Sequence, residues 1–204
     1  MKWWRLRGRW HGTSWSGTRP IREELFGPER LEQHARTLAA EQAVTVRPPS
    51  VPSLHSRLKS NAAILQAGYR ATTREVERGR TIVPAAEWLL DNYHLVEAQI
   101  REIREDLPPD YYRQLPKLAS GPFAGYPRIL GVAWAYVAHT DSRFDAEALH
   151  NFIHAYQRIQ PLTIGELWAV AITLRVVLVE NLRRLAEQIS EGLEARRDAD
   201  VFAD

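Results

Sequence analysis

Apolar residues in this chain recur at three- and four-residue steps in one segment after another, and no segment alternates apolar with polar residues. A period near 3.6 lines apolar side chains along one helix face, whereas a half-buried strand needs a period of two. The steps are plain in Leu54, Leu58, Ala62, Leu65, Tyr69 and Val76, and again in Leu89, Val96, Ile100 and Ile103. They return in Trp168, Ala171, Leu174, Leu178, Leu182 and Leu185. No Asn-Gly hairpin signal interrupts them. The chain is thereby limited to an all-α fold.

Start and stop signals divide the pattern into six or seven helices, and their short connections predict an antiparallel bundle. Residues 1–20 read as a disordered basic tail, and residues 21–191 as one all-α domain. Within it a first helix is expected over 21–46, through Leu31, Ala35 and Leu38. A linker over 47–53 follows, kept extended by three prolines, and 54–191 form the helical core. Ser53 is placed to cap the first core helix, and Pro84 falls in the first turn of the next, where a missing N–H costs little. Ile129 to Ala138 is apolar nearly all round, which predicts an interior helix. Asp145 reads as an N-cap, with Phe144 and Leu149 as its staple. Thr163 and Glu166 have capping-box spacing, ahead of a helix expected to reach about Ile189. Residues 192–204 are polar and expected to fray.

At 204 residues the chain is long enough for one sizeable core. No apolar run approaches the ~20 residues that cross a bilayer. The nearest, Leu167 to Val179, contains Arg175. Zero cysteines exclude disulfides and thiolate chemistry. A pI near 9.0 invites a nucleic-acid reading, but the charge is unevenly spread. Lys2, Arg5, Arg7, Arg9 and Arg19 give the first twenty residues +5, and taking +5 from the overall +2 leaves −3 for the rest. The body lacks the basic face that nucleic-acid binding requires, so no nucleic-acid partner is expected. The interleaved Trp3, Trp4, Trp10, Arg5, Arg7 and Arg9 instead suit an anionic membrane surface.

Candidate chemistry is sparse. His150 and His154 have the i, i+4 spacing of two metal ligands, but no third ligand accompanies them. His139 and Asp141 lie together at a helix end, where a dipole contact and a turn cap account for both. Asp198 and Asp200 form an Asp-x-Asp in a polar tail, far from any strand end that could fix them beside a nucleotide. There is no GxGxxG, P-loop or GxSxG. No catalytic, cofactor-binding or metal residue is assigned, and no cofactor is expected.

Polar residues inside apolar stripes stand out instead: Asn61, Asn92, Gln99, Thr173, Arg175 and Glu180. A buried amide without a partner costs about 1–3 kcal/mol. The expectation is a buried polar network in which Asn92 and Gln99 bond to backbone or to polar groups of the last long helix, chiefly Arg175 and Glu180.

The stretches "PAAEWLLDNYHLVEAQIREIREDLPPDYYRQLPKLASGPFAGYPRI", "AYVAHTDSRFD" and "YQRIQPLTIGELWAVAITLRVVLVENLRRLAE" resemble the N-terminal region of cyclic β-1,2-glucan synthases. "PIREELFGPERLEQHARTLAAEQAV" is similar to the opening segment of the same proteins. The resemblance implies a parent glycosyltransferase of the bacterial inner membrane that builds cyclic glucan from UDP-glucose. Its transferase domain carries Asp-x-Asp and Gln-x-x-Arg-Trp motifs, and a phosphorylase domain follows; none of these is matched here. The chain then reads as a non-catalytic helical module on the cytoplasmic side, packing on the rest of the synthase. The alternative is a free-standing scaffold or glucan-binding protein.

Overall fold

A computed structural model describes residues 17–203 and, residues 109, 193 and 194 apart, their side chains as far as residue 195. The described residues form seven helices and two short strands: α1 (Pro28–Glu41), β1 (Val44–Thr45), α2 (Leu54–Glu77), α3 (Pro84–Asp106), α4 (Pro109–Gln114), β2 (Lys117–Leu118), α5 (Arg128–His139), α6 (Ala146–Gln157) and α7 (Ile164–Ala203). The all-α class stands. The strands, which periodicity does not reveal at two residues each, pair antiparallel with Val44 opposite Leu118 and Thr45 opposite Lys117.

The caps form where their residue types place them. The Ser53 hydroxyl accepts from the Ser56 N–H at 3.1 Å, and the Asp145 carboxylate from the Ala148 N–H at 2.9 Å. Thr163 and Glu166 close a reciprocal box, with 2.9 Å from the Thr163 N–H to Glu166 and 3.2 Å from the Glu166 N–H to Thr163. Phe144 does not join the staple at Asp145; it stays 70% exposed.

Four boundaries differ from expectation. The first helix is shorter than 21–46 at both ends, starting at Pro28. Residues before it run extended because the last carbonyls of α5 need donors. The Glu23 N–H bonds Ala138 O at 3.0 Å and the Phe26 N–H bonds His139 O at 3.1 Å. The tail expected to end at residue 20 is already held at residue 17. Arg183 donates to Gly17 O at 3.2 Å and Arg184 to Arg19 O at 2.9 Å. At the other end α7 continues through Ala203 over 40 residues, because Glu, Ala and Arg favour a helix and no proline stops it.

The core is arranged around α5 and α7. Every residue of α5 is buried, including Trp134 and Tyr136. Helix α7 packs on α2, α5 and α3, while α1 packs on α6 and α2 on α3. Gly68 of α2 faces α7: a methyl added there would stand 3.5 Å from the Ala186 side chain, an ordinary van der Waals contact.

Candidate docking face and the buried charge cluster

Glu180 sits on the inner side of α7 with none of its side chain exposed. From α2, Arg57 grips it with two bonds of 2.9 and 2.7 Å, and Asn61 adds one of 2.9 Å. One turn along α7, Arg183 donates at 2.7 Å and Arg184 at 2.9 Å. Burial alone would raise the Glu180 carboxyl, but the bonds and charge of Arg57, then of Arg183, outweigh it and hold the group below the ordinary carboxylate range. Arg184 is itself fully buried, its guanidinium 4.8 Å from the Trp134 ring centre. The cluster ties three parts of the chain together: α2, α7 and the segment at residues 17–19.

A second buried pair locks the start of α5 to the start of α7. Arg128 and Glu166 meet at 2.6 Å with side chains 4% and 0% exposed. Glu166 thus completes the Thr163 cap and answers Arg128 with one carboxylate. Thr173 is buried as expected of a polar residue in an apolar helix, and it shares a short hydrogen bond with the Tyr112 hydroxyl.

Of the four residues expected to form one network, only Glu180 lies at its centre. Asn92 is half-buried and donates to the carbonyl of Trp88 in its own helix at 2.9 Å. Gln99 donates to Glu102, also on α3, at 2.9 Å. Arg175 is 43% exposed and reaches Glu102 at 3.5 Å and Asp106 at 3.9 Å. Asn92 and Gln99 thus find partners within α3 and not at Glu180; for Asn92 the partner is backbone, one of the two kinds expected. Sequence reasoning missed Arg57, Arg183 and Arg184. The signal for two of them was present in "ENLRR", which spaces Glu180 from Arg183 and Arg184 by three and four residues.

Gln99 instead borders an uncovered apolar face. Between α3 and α7 runs an open trough of about 570 Å³, walled by Trp88, Leu89, Leu182, Leu185 and Ile189. A smaller one of about 220 Å³ continues it past Leu95, Gln99 and Leu178, with Trp88 and Leu182 common to both. Trp88 is 51% exposed, Leu95 53% and Leu185 41%. Apolar side chains in a contiguous row with polar residues at the border are the pattern of an interaction surface.

The remaining candidates are placed as follows. His150 and His154 lie on the exposed face of α6 with rings parallel, 6.2 Å apart. Among the described residues no group of three or more His, Cys, Asp or Glu could hold a metal ion. His139 is buried at the end of α5, stacked on Phe26 at 4.0 Å, its Nδ1 2.7 Å from Glu24 O. Asp141 adopts a positive φ of 51° in the turn and pairs with Arg22 at 3.2 Å. The side chains of Asp198 and Asp200, and all of Trp3, Trp4, Trp10, Arg5, Arg7 and Arg9, lie outside the described residues. No described helix is long and apolar enough to cross a membrane.

Fold and site define a helical module with an ion-paired interior and one open apolar face. The chain is 42% identical over 186 residues to the cyclic beta-(1,2)-glucan synthase NdvB of Rhizobium meliloti (strain 1021). The resemblance read from the sequence is thereby shown, and the chain is related to one region of a cyclic β-1,2-glucan synthase. The match takes in 90% of this chain and 6% of NdvB, so the chain spans a small part of that relative's length. No family model matches the chain.

Proposed function

We propose that the chain is a non-catalytic helical module of a cyclic β-1,2-glucan synthase, a piece that packs on the rest of such a protein through the face between α3 and α7. The observation that carries this is the uncovered row Trp88, Leu95, Leu178 and Leu185 in a chain whose relative is many times longer. Single exposed apolar residues are normal, but a continuous trough is costly to leave wet. The module works on the cytoplasmic side of the bacterial inner membrane, as its parent protein requires. On sequence grounds alone we add a contact of Trp3, Trp4 and Trp10 with anionic headgroups, which their replacement by serine abolishes in liposome binding.

The test supplies the rest of a cyclic β-1,2-glucan synthase as a separate chain and measures co-purification with this one. Trp88→Ser with Leu185→Ser is expected to lose the complex at a small cost in melting temperature, because both side chains are only half-buried in the isolated chain. UDP-glucose consumption by the purified chain, or full assembly of a synthase lacking the module, would overturn the proposal. Linear β-1,2-glucan is expected to give no heat in calorimetry; a saturable heat would favour the glucan-binding alternative.

A further inference from the structure

A cleft of about 610 Å³ opens between the proline strap at residues 48–52, the first turn of α2 and the loop leading into α5. Every ionisable side chain on its wall other than tyrosine is a lysine, arginine or histidine: Lys117, Arg113 and His55. Lys117 is the informative one. Its backbone is fixed on β2, paired with Thr45 on one side and bridged to Pro127 on the other. Its ammonium, half-buried, donates to the carbonyl oxygen of Tyr112. Among the described residues no carboxylate stands within ion-pair distance of it. Burial alone pushes the Lys117 ammonium down to about 8, with no neighbouring negative charge to oppose the shift.

Two further features converge on the same space. Leu54 and His55 begin α2 and line the cleft; the Ser53 hydroxyl takes the Ser56 N–H, and the other N–H groups of the first turn have no acceptor within the helix. They add the positive end of a 24-residue helix to the lysine. The strap forming the opposite wall is rigidly seated: at Gly125, with φ at +84°, an added methyl would stand 2.5 Å from Pro49 O. The wall also carries Pro48, Pro49 and Pro52, so the space is far larger than a bare ion needs and offers rings a surface to lie on.

We propose that this cleft binds a phosphate-bearing organic ligand, its phosphate between Lys117 and the first turn of α2 and its ring body against the prolines. A lysine serves as a point charge for phosphate, and a helix start supplies directed donors. The phosphate belongs to a soluble molecule or to a lipid headgroup, and the chemistry of the site is the same for both. This reading stands apart from the docking face and does not depend on it.

The experiment titrates the full chain with phenyl phosphate by calorimetry, with inorganic phosphate as competitor, and separately with phosphatidylglycerol vesicles. Saturable binding of phenyl phosphate, displaced by inorganic phosphate and weakened about tenfold or more by Lys117→Met, is the expected result. Arg113→Gln is the second variant; its side chain, paired with Asp110, is 78% exposed, so the fold is expected to tolerate it, and it is expected to weaken binding severalfold. Vesicle binding that Lys117→Met removes, without phenyl phosphate binding, supports the site and assigns the phosphate to lipid. No phenyl phosphate binding by the folded chain together with no vesicle binding that Lys117→Met removes, or phenyl phosphate binding indifferent to both substitutions, would overturn the proposal. Neither result bears on co-purification with the synthase.

Discussion

Replacing Glu180 with alanine isolates what the buried cluster contributes. The substitution removes the carboxylate that answers Arg57, Arg183 and Arg184, with Arg184 fully buried and Arg183 5% exposed. Removing one partner of a buried pair costs about 3–5 kcal/mol, because the charge left behind is uncompensated. Arg183 keeps Glu187 and Gly17 O, and Arg184 keeps Arg19 O, so the lower half of that range is expected. Against a total stability of about 5–15 kcal/mol this is a large fraction. In a chain of this size each kcal/mol moves the midpoint by roughly 2–4 °C, giving a fall of roughly 6–16 °C. Far-UV circular dichroism melts at pH 7, with urea titration at 25 °C, measure it. Glu180→Gln is expected to lose nearly as much, since it keeps the volume but turns an N–H₂ toward a guanidinium. Arg57→Ala is expected to cost less, about 1 kcal/mol, because its side chain is 25% exposed. A Glu180→Ala loss below about 1 kcal/mol would refute the assignment of the cluster as the tie between α2 and α7.

Acid titration should show two contributions that begin at different pH. His34 is lowered to about 4, first by burial and then by the charge of His139. Its unfolded form takes up a proton near 6.5, so stability falls between pH 6.5 and 4, by at most about 3 kcal/mol, and His34→Leu should flatten that slope. Glu180, whose folded form resists protonation, contributes stability that is present above about 4.5 and lost as the pH drops through its depressed value. Thr163→Ala should cost about 1 kcal/mol by opening the capping box, read as a shift in urea midpoint. Gly125→Ala should cost more than a cap, since its φ of +84° disfavours a side chain and the methyl would strike Pro49 O; a melt within 2 °C of the parent, the order of a 1 kcal/mol effect, would contradict the contact.

The helices were legible where local chemistry decides them. Ser53, Asp145 and the Thr163–Glu166 pair fix starts by bonds within one turn, and these require no knowledge of the rest of the fold. Residues 21–27 were not legible as extended chain, because what stretches them is a set of α5 carbonyls more than a hundred positions away. The site failed in the same way. Arg175 and Arg184 both lie on α7 among apolar residues, yet one is half-exposed and the other fully buried. Period alone cannot separate them when a helix meets α2, α3 and α5 on different sides. The amides misled for a related reason: Asn92 and Gln99 share a stripe with Trp88 and Leu95, and that stripe is apolar without being covered.

The order of synthesis gives the position of α7 a further meaning. Helix α5 is buried on all sides and relies on α7 for part of its cover, but α7 is made after it. Roughly 45 residues separate His139 from Arg184, which at about 5–20 residues per second leaves α5 without that cover for several seconds. Over the same interval Arg57 and the backbone at Arg19 wait for Glu180 and Arg184. A nascent chain paused before residue 180 would therefore present Trp134, Tyr136 and their neighbours to whatever is nearby. Chaperone engagement should peak on that intermediate and end when α7 emerges.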